Sequence, residues 1–441
     1  MYSIIKHIKK TYKIAAPHER RAVLSNFASL SALQAITFVV PILILPYLFR
    51  AIGAEKFGLI AFAQAFVQYF MIVTDYGFSI SATKEISLCR HKHTEVCRVF
   101  SEVMTVKILL ALASLFLLCV IVYFIPKFRN DWPVYILSFG AVIGNTIFPI
   151  WFFQGTEKMK HIADLNIAGG IIVALFIFLF VRGPQDYLLV PLIYSCVSLV
   201  TGVWGQRIVF RKFGVSFNFP GYHSLRQQLK AGWDIFISIV AINAYTTTRI
   251  FTVGLLTNNT MTGLYSMAEK IAGIVQTFPL SSFSQALFPR LSKIFQKDRL
   301  KALKLMQRIQ HITVNISLIF IPAFFIFAHP IVKIFCGGDY SETVLSLRLL
   351  LIAVFFVSAN AFRVQFLLVC GKTHIYSRIH VVMAMIGLPV ILLLVTSFGY
   401  RGAAIATVVI EAGVFTITYF TIKHIAALEG HGEHIRKRHI A

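Results

Sequence analysis

Nine ionisable residues fall inside, or at the entrance of, long apolar stretches of this 441-residue chain: Asp75, Lys107, Asp164, Asp234, Arg249, Glu269, Lys270, Arg363 and Glu411. A central Asp, Lys or Arg in hydrocarbon costs about 2.5–3.5 kcal/mol on insertion scales, so such residues serve pathways, binding sites or helix pairing. Arg249, Lys270 and Arg363 are the deepest cations. Together they could line a cavity and hold an anionic group, arginine in a bidentate fork and lysine as a point charge. The plain alternative is ion pairing inside the bundle, for example Lys270 with Asp75 or Glu411. Asp75, Glu411 and Glu269 are the acids available to take up and release a coupling ion, and pairing with a cation or hydroxyl explains them equally well. Lys107, Asp164 and Asp234 lie near the predicted ends of their spans, where snorkelling or capping accounts for them.

The elements that must position these groups are membrane helices. Hydrophobic residues make up 57% of the chain and charged ones 14%, with mean hydropathy +0.75. A soluble globular surface would not tolerate this balance. The net charge of +24 sits in short loops between apolar runs, so it reports the anionic inner leaflet and not nucleic acid. Windows of about 20 apolar residues give about twelve spans, at 24–49, 57–81, 103–125, 132–153, 163–182, 187–209, 233–256, 261–288, 309–332, 344–369, 375–398 and 402–423. Inward loops hold roughly 30 Lys and Arg against about 8 outside, which predicts cytoplasmic termini and an even span count. Pro41, Pro46, Pro149, Pro279, Pro322 and Pro389 are candidate bending points, as is the Gly169-Gly170 pair.

Two echoes recur at a six-span offset. Gly58-Leu59-Ile60-Ala61-Phe62-Ala63-Gln64 opens the second span and Gly263-Leu264-Tyr265-Ser266-Met267-Ala268-Glu269 the eighth. Gln154-Gly155-Thr156-Glu157-Lys158 matches Cys370-Gly371-Lys372-Thr373-His374. The pattern predicts parallel repeats: a six-helix lobe at 22–210, a cytoplasmic linker at 211–232 and a second lobe at 233–424. An amphipathic cytoplasmic segment at 1–21 precedes them and a basic tail at 425–441 follows.

Other signals have ordinary readings. Gly371-Lys372-Thr373 matches the tail of a phosphate-binding loop, but Phe366 occupies its first glycine position. Gly140 and Gly144 form a small-residue packing motif. His431, His434 and His439 belong to a solvated tail. The cysteines Cys89, Cys97, Cys119, Cys196, Cys336 and Cys370 form neither a disulfide framework nor a zinc site. Gln64, Gln68 and Asn145 and some of the many aromatics could contact sugar rings. No nucleophile with its base, metal cluster or nucleotide loop is present, which argues against an enzyme.

The run Pro46-Tyr-Leu-Phe-Arg-Ala-Ile-Gly53 and the run Phe57-Gly-Leu-Ile-Ala-Phe-Ala-Gln64 precede Gln68-Tyr69-Phe70, Thr74-Asp75-Tyr76-Gly77-Phe78 and Ser81-Ala82-Thr83-Lys84-Glu85-Ile86-Ser87. This series resembles the opening of the Wzx-type polysaccharide-unit flippases; Trp151-Phe152-Phe153-Gln154-Gly155 and Leu287-Phe288-Pro289 fit the same family. The resemblance implies an all-α fold of the multidrug, oligosaccharidyl-lipid and polysaccharide (MOP) exporter superfamily, two six-helix lobes around a central cavity. It implies as substrate an undecaprenyl-pyrophosphate-linked oligosaccharide, turned to the periplasmic leaflet of a bacterial inner membrane for O-antigen assembly. A proton or sodium gradient would supply the energy without any cofactor, and an O-antigen polymerase and chain-length regulator are implied partners. The competing expectations are a drug-type exporter of the same superfamily and, less well supported, a membrane glycosyltransferase, polymerase or ligase.

Overall fold

The computed structural model describes residues 17–277, 299–370 and 372–438, with side chains from Val39 to Ile425 apart from a few positions. The expected interfacial helix before residue 17, the Leu287-Phe288-Pro289 motif and Gly371 lie outside the described residues, as do Pro279 and the tail histidine side chains.

The described chain is helical, as a backbone crossing hydrocarbon must be when it satisfies its own hydrogen bonds. In order the helices are α1 (Pro17–Asp75), α2 (Phe78–Cys89), α3 (His93–Phe124), α4 (Trp132–Ile147), α5 (Ile150–Gly155), α6 (Met159–Phe180), α7 (Leu189–Lys212), α8 (Tyr222–Thr246) and α9 (Thr248–Leu256). They continue with α10 (259–277), α11 (Arg299–Ile326), α12 (Ala328–Cys336), α13 (Ser341–Val369), α14 (Thr373–Phe398) and α15 (Tyr400–Arg438).

Among the described residues nine helices, or ten when the bent pair α8–α9 counts as one, are long and apolar enough to cross a membrane. The expected twelve differ for two reasons. The first stretch, Val39–Cys89, has 51 residues and would extend about 75 Å, more than twice a hydrocarbon core of about 30 Å. It therefore contains two of the expected spans. Gly53, at φ 77 and ψ 164, breaks the helix inside the expected Arg50–Lys56 turn with a backbone geometry that favours glycine. Phe49 and Phe57 confirm the bend: their ring centroids are 5.3 Å apart, whereas eight residues of straight helix rise about 12 Å. The expected span at 261–288 extends beyond the described residues.

The chain falls into two compact units. The first comprises Met1–Ile44, Phe70–Phe180 and Leu188–Ile235. Here the Gly140/Gly144 motif packs α4 against α7, as its small residues suggest. An added methyl at Gly140 would lie 2.6 Å from Ser195 Cβ, and one at Gly144 would strike Ser198. Two motifs of the sequence meet where α2 packs on α5. Thr83 Oγ1 donates to Trp151 O at 3.2 Å, and a methyl on Gly155 would fall 2.7 Å from Ile86 Cβ and 2.9 Å from Thr83 O. Trp151, Phe152 and Phe153 are fully buried, so they form core and not a sugar platform. The connection before α8 is fastened to α3: Asn218 N donates to Ser101 Oγ at 3.0 Å. Gln228 Nε2 then bridges Glu85 at 3.0 Å and Glu102 at 2.9 Å.

The second unit comprises Leu45–Tyr69, Val181–Tyr187 and Phe236–Ala441. The stretch 45–69, placed by the repeat pattern in the N-terminal lobe, clusters here. It runs along α9 and α10 in a sequence of close contacts. Gly58 meets Asn259 and Gly263 backbone, Phe62 stacks on Phe251 at 5.3 Å, and Tyr69 Oη lies 2.8 Å from Thr248 Oγ1. The echo segments 58–64 and 263–269 thus meet through their leading glycines. Around them α13 packs on α11 and α15, and α14 on α15 and α9.

Candidate functional site

The second unit holds its polar site at a helix break. Between α8 and α9 the axis bends by 48° at Thr247, in the run Thr246-Thr247-Thr248 whose side chains can bond to the backbone of the preceding turn. Thr246 Oγ1 does so, donating to Ile242 O at 3.0 Å. Arg249, just past the break, donates from Nε to Thr246 O at 3.2 Å. Its Nη2 lies 3.0 Å from Glu269 Oε1 of α10. Arg249 is therefore paired, and so is one oxygen of Glu269. The other, Oε2, is buried without a hydrogen-bond partner among the described residues.

The remaining two cations are not neutralised in this way. Lys270, next to Glu269, feels that carboxylate but makes no hydrogen bond or ion pair among the described residues. Arg363 of α13 stacks against two rings of α15, with its guanidinium carbon 4.6 Å from the Phe415 centroid and 5.1 Å from that of Tyr419. Cation–π contact does not use the N–H groups as donors, and Nη1 is buried with no hydrogen-bond partner among the described residues.

One face of α15 connects these groups. Glu411, Phe415 and Tyr419 recur at four-residue spacing, each about 6 Å further along the axis. Glu411 is within electrostatic reach of Arg249 and Tyr245, while Phe415 and Tyr419 carry Arg363. The sequence-predicted Arg249, Glu269, Lys270, Arg363 and Glu411 thus converge in one unit. Gln64 and Gln68, in the same unit, are half-buried.

Three residues of this cluster escaped the sequence reading. Tyr245 Oη and His380 Nδ1 are 2.7 Å apart and buried, and the Tyr376 ring lies 4.4 Å from the imidazole. The available signal was the spacing of Tyr376 and His380, four apart and hence on one face of α14. The hydrogen bond joins the imidazole to the tyrosine that faces Glu411, so titratable groups run from His380 through Tyr245 to Glu411 and Arg249.

Asp75 and Lys107 lie in the first unit. Asp75 is the last residue of α1, which ends at consecutive left-handed residues, Tyr76 at φ 48 and Gly77 at φ 81. A carboxylate there opposes the helix dipole. Ser79 Oγ donates to it at 2.9 Å, and Lys107 of α3 supplies the compensating charge. Lys107 is only 1% exposed, which corrects the expectation that it snorkels. Asp164 and Asp234 are exposed, in keeping with their end-of-span reading. Asn145 is exposed too.

The fold defines the class first. A lipid II flippase MurJ structure in an inward closed conformation aligns with TM-score 0.72 over 89% of this chain and 87% of that one, at 13% identity. An inward-facing multidrug resistance MATE family transporter of the MOP superfamily aligns with TM-score 0.72 over 92% of this chain and 99% of that one, also at 13% identity. The chain shares the all-α fold of these two membrane proteins. Residues 23–295 match the polysaccharide biosynthesis protein family, and the chain belongs to it. A relative named "Putative O-antigen transporter" from Escherichia coli (strain K12) is 29% identical over 401 residues, 90% of this chain and 96% of the relative.

Proposed function

We propose that this protein is a flippase that carries an undecaprenyl-pyrophosphate-linked polysaccharide repeat unit from the cytoplasmic to the periplasmic leaflet of a bacterial inner membrane, with both termini cytoplasmic. The observation that carries the reading is that two deep cations, Lys270 and Arg363, form no ion pair among the described residues, in the unit that also holds Arg249. A pyrophosphate resists crossing hydrocarbon because of its charge, and fixed cations lower that barrier. The O-antigen transporter name of the Escherichia coli relative agrees with a polysaccharide substrate. A cationic drug would instead call for an excess of acids, whereas this unit sets Arg249, Lys270 and Arg363 against Glu269 and Glu411.

In the proposed cycle Lys270 and Arg363 receive the head group first. Arg249 is held in reserve by Glu269. Uptake of a proton by Glu269 or Glu411 would weaken that pair and release the Arg249 fork to the pyrophosphate; loss of the proton after delivery would restore it. The proton gradient thereby drives alternating access, with Asp75 as a further coupling candidate in the first unit. A polymerase and a chain-length regulator would consume the delivered unit.

The test is outward movement of a fluorescent undecaprenyl-pyrophosphate oligosaccharide in proteoliposomes under an imposed pH gradient, with an organic cation dye as competing substrate. Movement of the lipid-linked sugar, accelerated by the gradient, is the expected result. Movement of the dye alone would establish a drug exporter and overturn the reading.

A further inference from the structure

A second unneutralised arginine lies away from this cluster, beside an apolar groove. The groove has a volume of about 350 Å³ and runs between α11 and α13, lined among others by Leu318, Ile321, Phe325, Ile352 and Phe356. Pro322 lies inside α11 at this level and removes a backbone donor from the helix there. Leu318 and Ile326 on its rim are exposed, so the groove opens sideways, towards where hydrocarbon would be.

Arg348 lies one helical turn before Ile352 on α13, and its guanidinium carbon is 5.4 Å from the centroid of Phe325. Among the described residues its Nε is buried with no hydrogen-bond partner, and the residue makes no ion pair. Nearby, Lys333 pairs with Asp339 at 3.5 Å, His329 Nε2 lies 3.1 Å from the same carboxylate, and Arg50 donates to Ile334 O. The span Ser341–Leu367 has 27 residues, or about 40 Å, against a core of about 30 Å. Arg348, about 10 Å from its start, is within side-chain reach of the phosphate layer.

We propose that this groove binds one anionic phospholipid of the surrounding bilayer, an acyl chain along α11 and α13 and the phosphate on Arg348. The chemistry selects this occupant. The groove is apolar throughout its accessible lining, which suits a hydrocarbon chain and offers nothing to a glycan. A single guanidinium matches a single phosphate diester, not the two charges of a pyrophosphate. The bound lipid would join α11 to α13 on the membrane-facing side of the second unit. The inference is independent of the transport reading, because it concerns binding alone.

The test is native mass spectrometry of the purified full-length protein, delipidated and then offered phosphatidylglycerol, phosphatidylcholine or undecaprenyl phosphate at equal concentration. The wild type should retain one phosphatidylglycerol, favoured over phosphatidylcholine by about five-fold. Arg348→Gln should abolish that preference and Arg348→Lys keep part of it. Leu318→Trp, a substitution on the exposed rim that survives even if Arg348→Gln folds poorly, should lower retention of both phospholipids. Equal retention of phosphatidylglycerol and phosphatidylcholine by the wild type, an unchanged preference in Arg348→Gln, or stronger retention of undecaprenyl phosphate would each overturn the proposal.

Discussion

The two units treat buried charge in opposite ways. In the first, Asp75 and Lys107 offset each other, and Ser79 completes the acid's hydrogen bonding. In the second, Glu269 is committed to an ion pair with Arg249, so the carboxylate that Lys270 feels is shared with that arginine, and Arg363 rests on two rings with no ion pair among the described residues. Balanced charge is what helix pairing requires. Excess charge lowers stability and persists where something else is to be bound. The difference separates a fastening from a receptor, although in the sequence the residues look alike.

Stability measurements can break this comparison. The largest effect is expected for Asp75→Asn, which removes the carboxylate facing the buried Lys107 and should cost about 3 kcal/mol, read as a lowered thermal midpoint in detergent. Lys107→Met should cost less than half as much, because Asp75 is half-buried and keeps Ser79. Equal losses would show that the pair is not organised around the lysine. Next come Arg249→Ala and Glu269→Gln, each leaving a buried partner uncompensated at about 2–3 kcal/mol. Arg249→Ala should cost more, since the Thr246 carbonyl also loses its donor. Arg363→Gln should change stability by at most about 1 kcal/mol, the scale of its ring contacts, while cutting transport at least about ten-fold. A large loss of stability with normal transport would turn Arg363 into a fastening. Asp164→Asn, exposed, should stay within about 0.5 kcal/mol.

The sequence made the membrane helices legible because hydrocarbon imposes length and composition on any spanning segment. It also placed the bend at Arg50–Lys56 and the packing role of Gly140 and Gly144. Depth was harder to read. The apolar window containing Lys107 begins at residue 103, but α3 begins at His93, because a helix extends past the edge of its hydrophobic stretch. Lys107 therefore lies about 20 Å along α3, not one turn from its end. Partnership was not legible at all. Arg249, Lys270 and Arg363 are equivalent as deep cations until the neighbouring helices show that Glu269 faces the first and rings face the third. His380 escaped because a histidine near the end of an apolar window looks like part of a loop, and its tyrosine partner is 135 residues away.

The most direct measurement is the initial rate of flipping of the fluorescent undecaprenyl-pyrophosphate oligosaccharide by the Lys270→Gln/Arg363→Gln double variant, reconstituted beside wild type and Asp164→Asn at matched protein content. The expected result is a rate at least about a hundred-fold below wild type, with a thermal midpoint close to that of wild type and Asp164→Asn unaffected. A double variant that flips the substrate at the wild-type rate would contradict the assignment of these cations to the pyrophosphate.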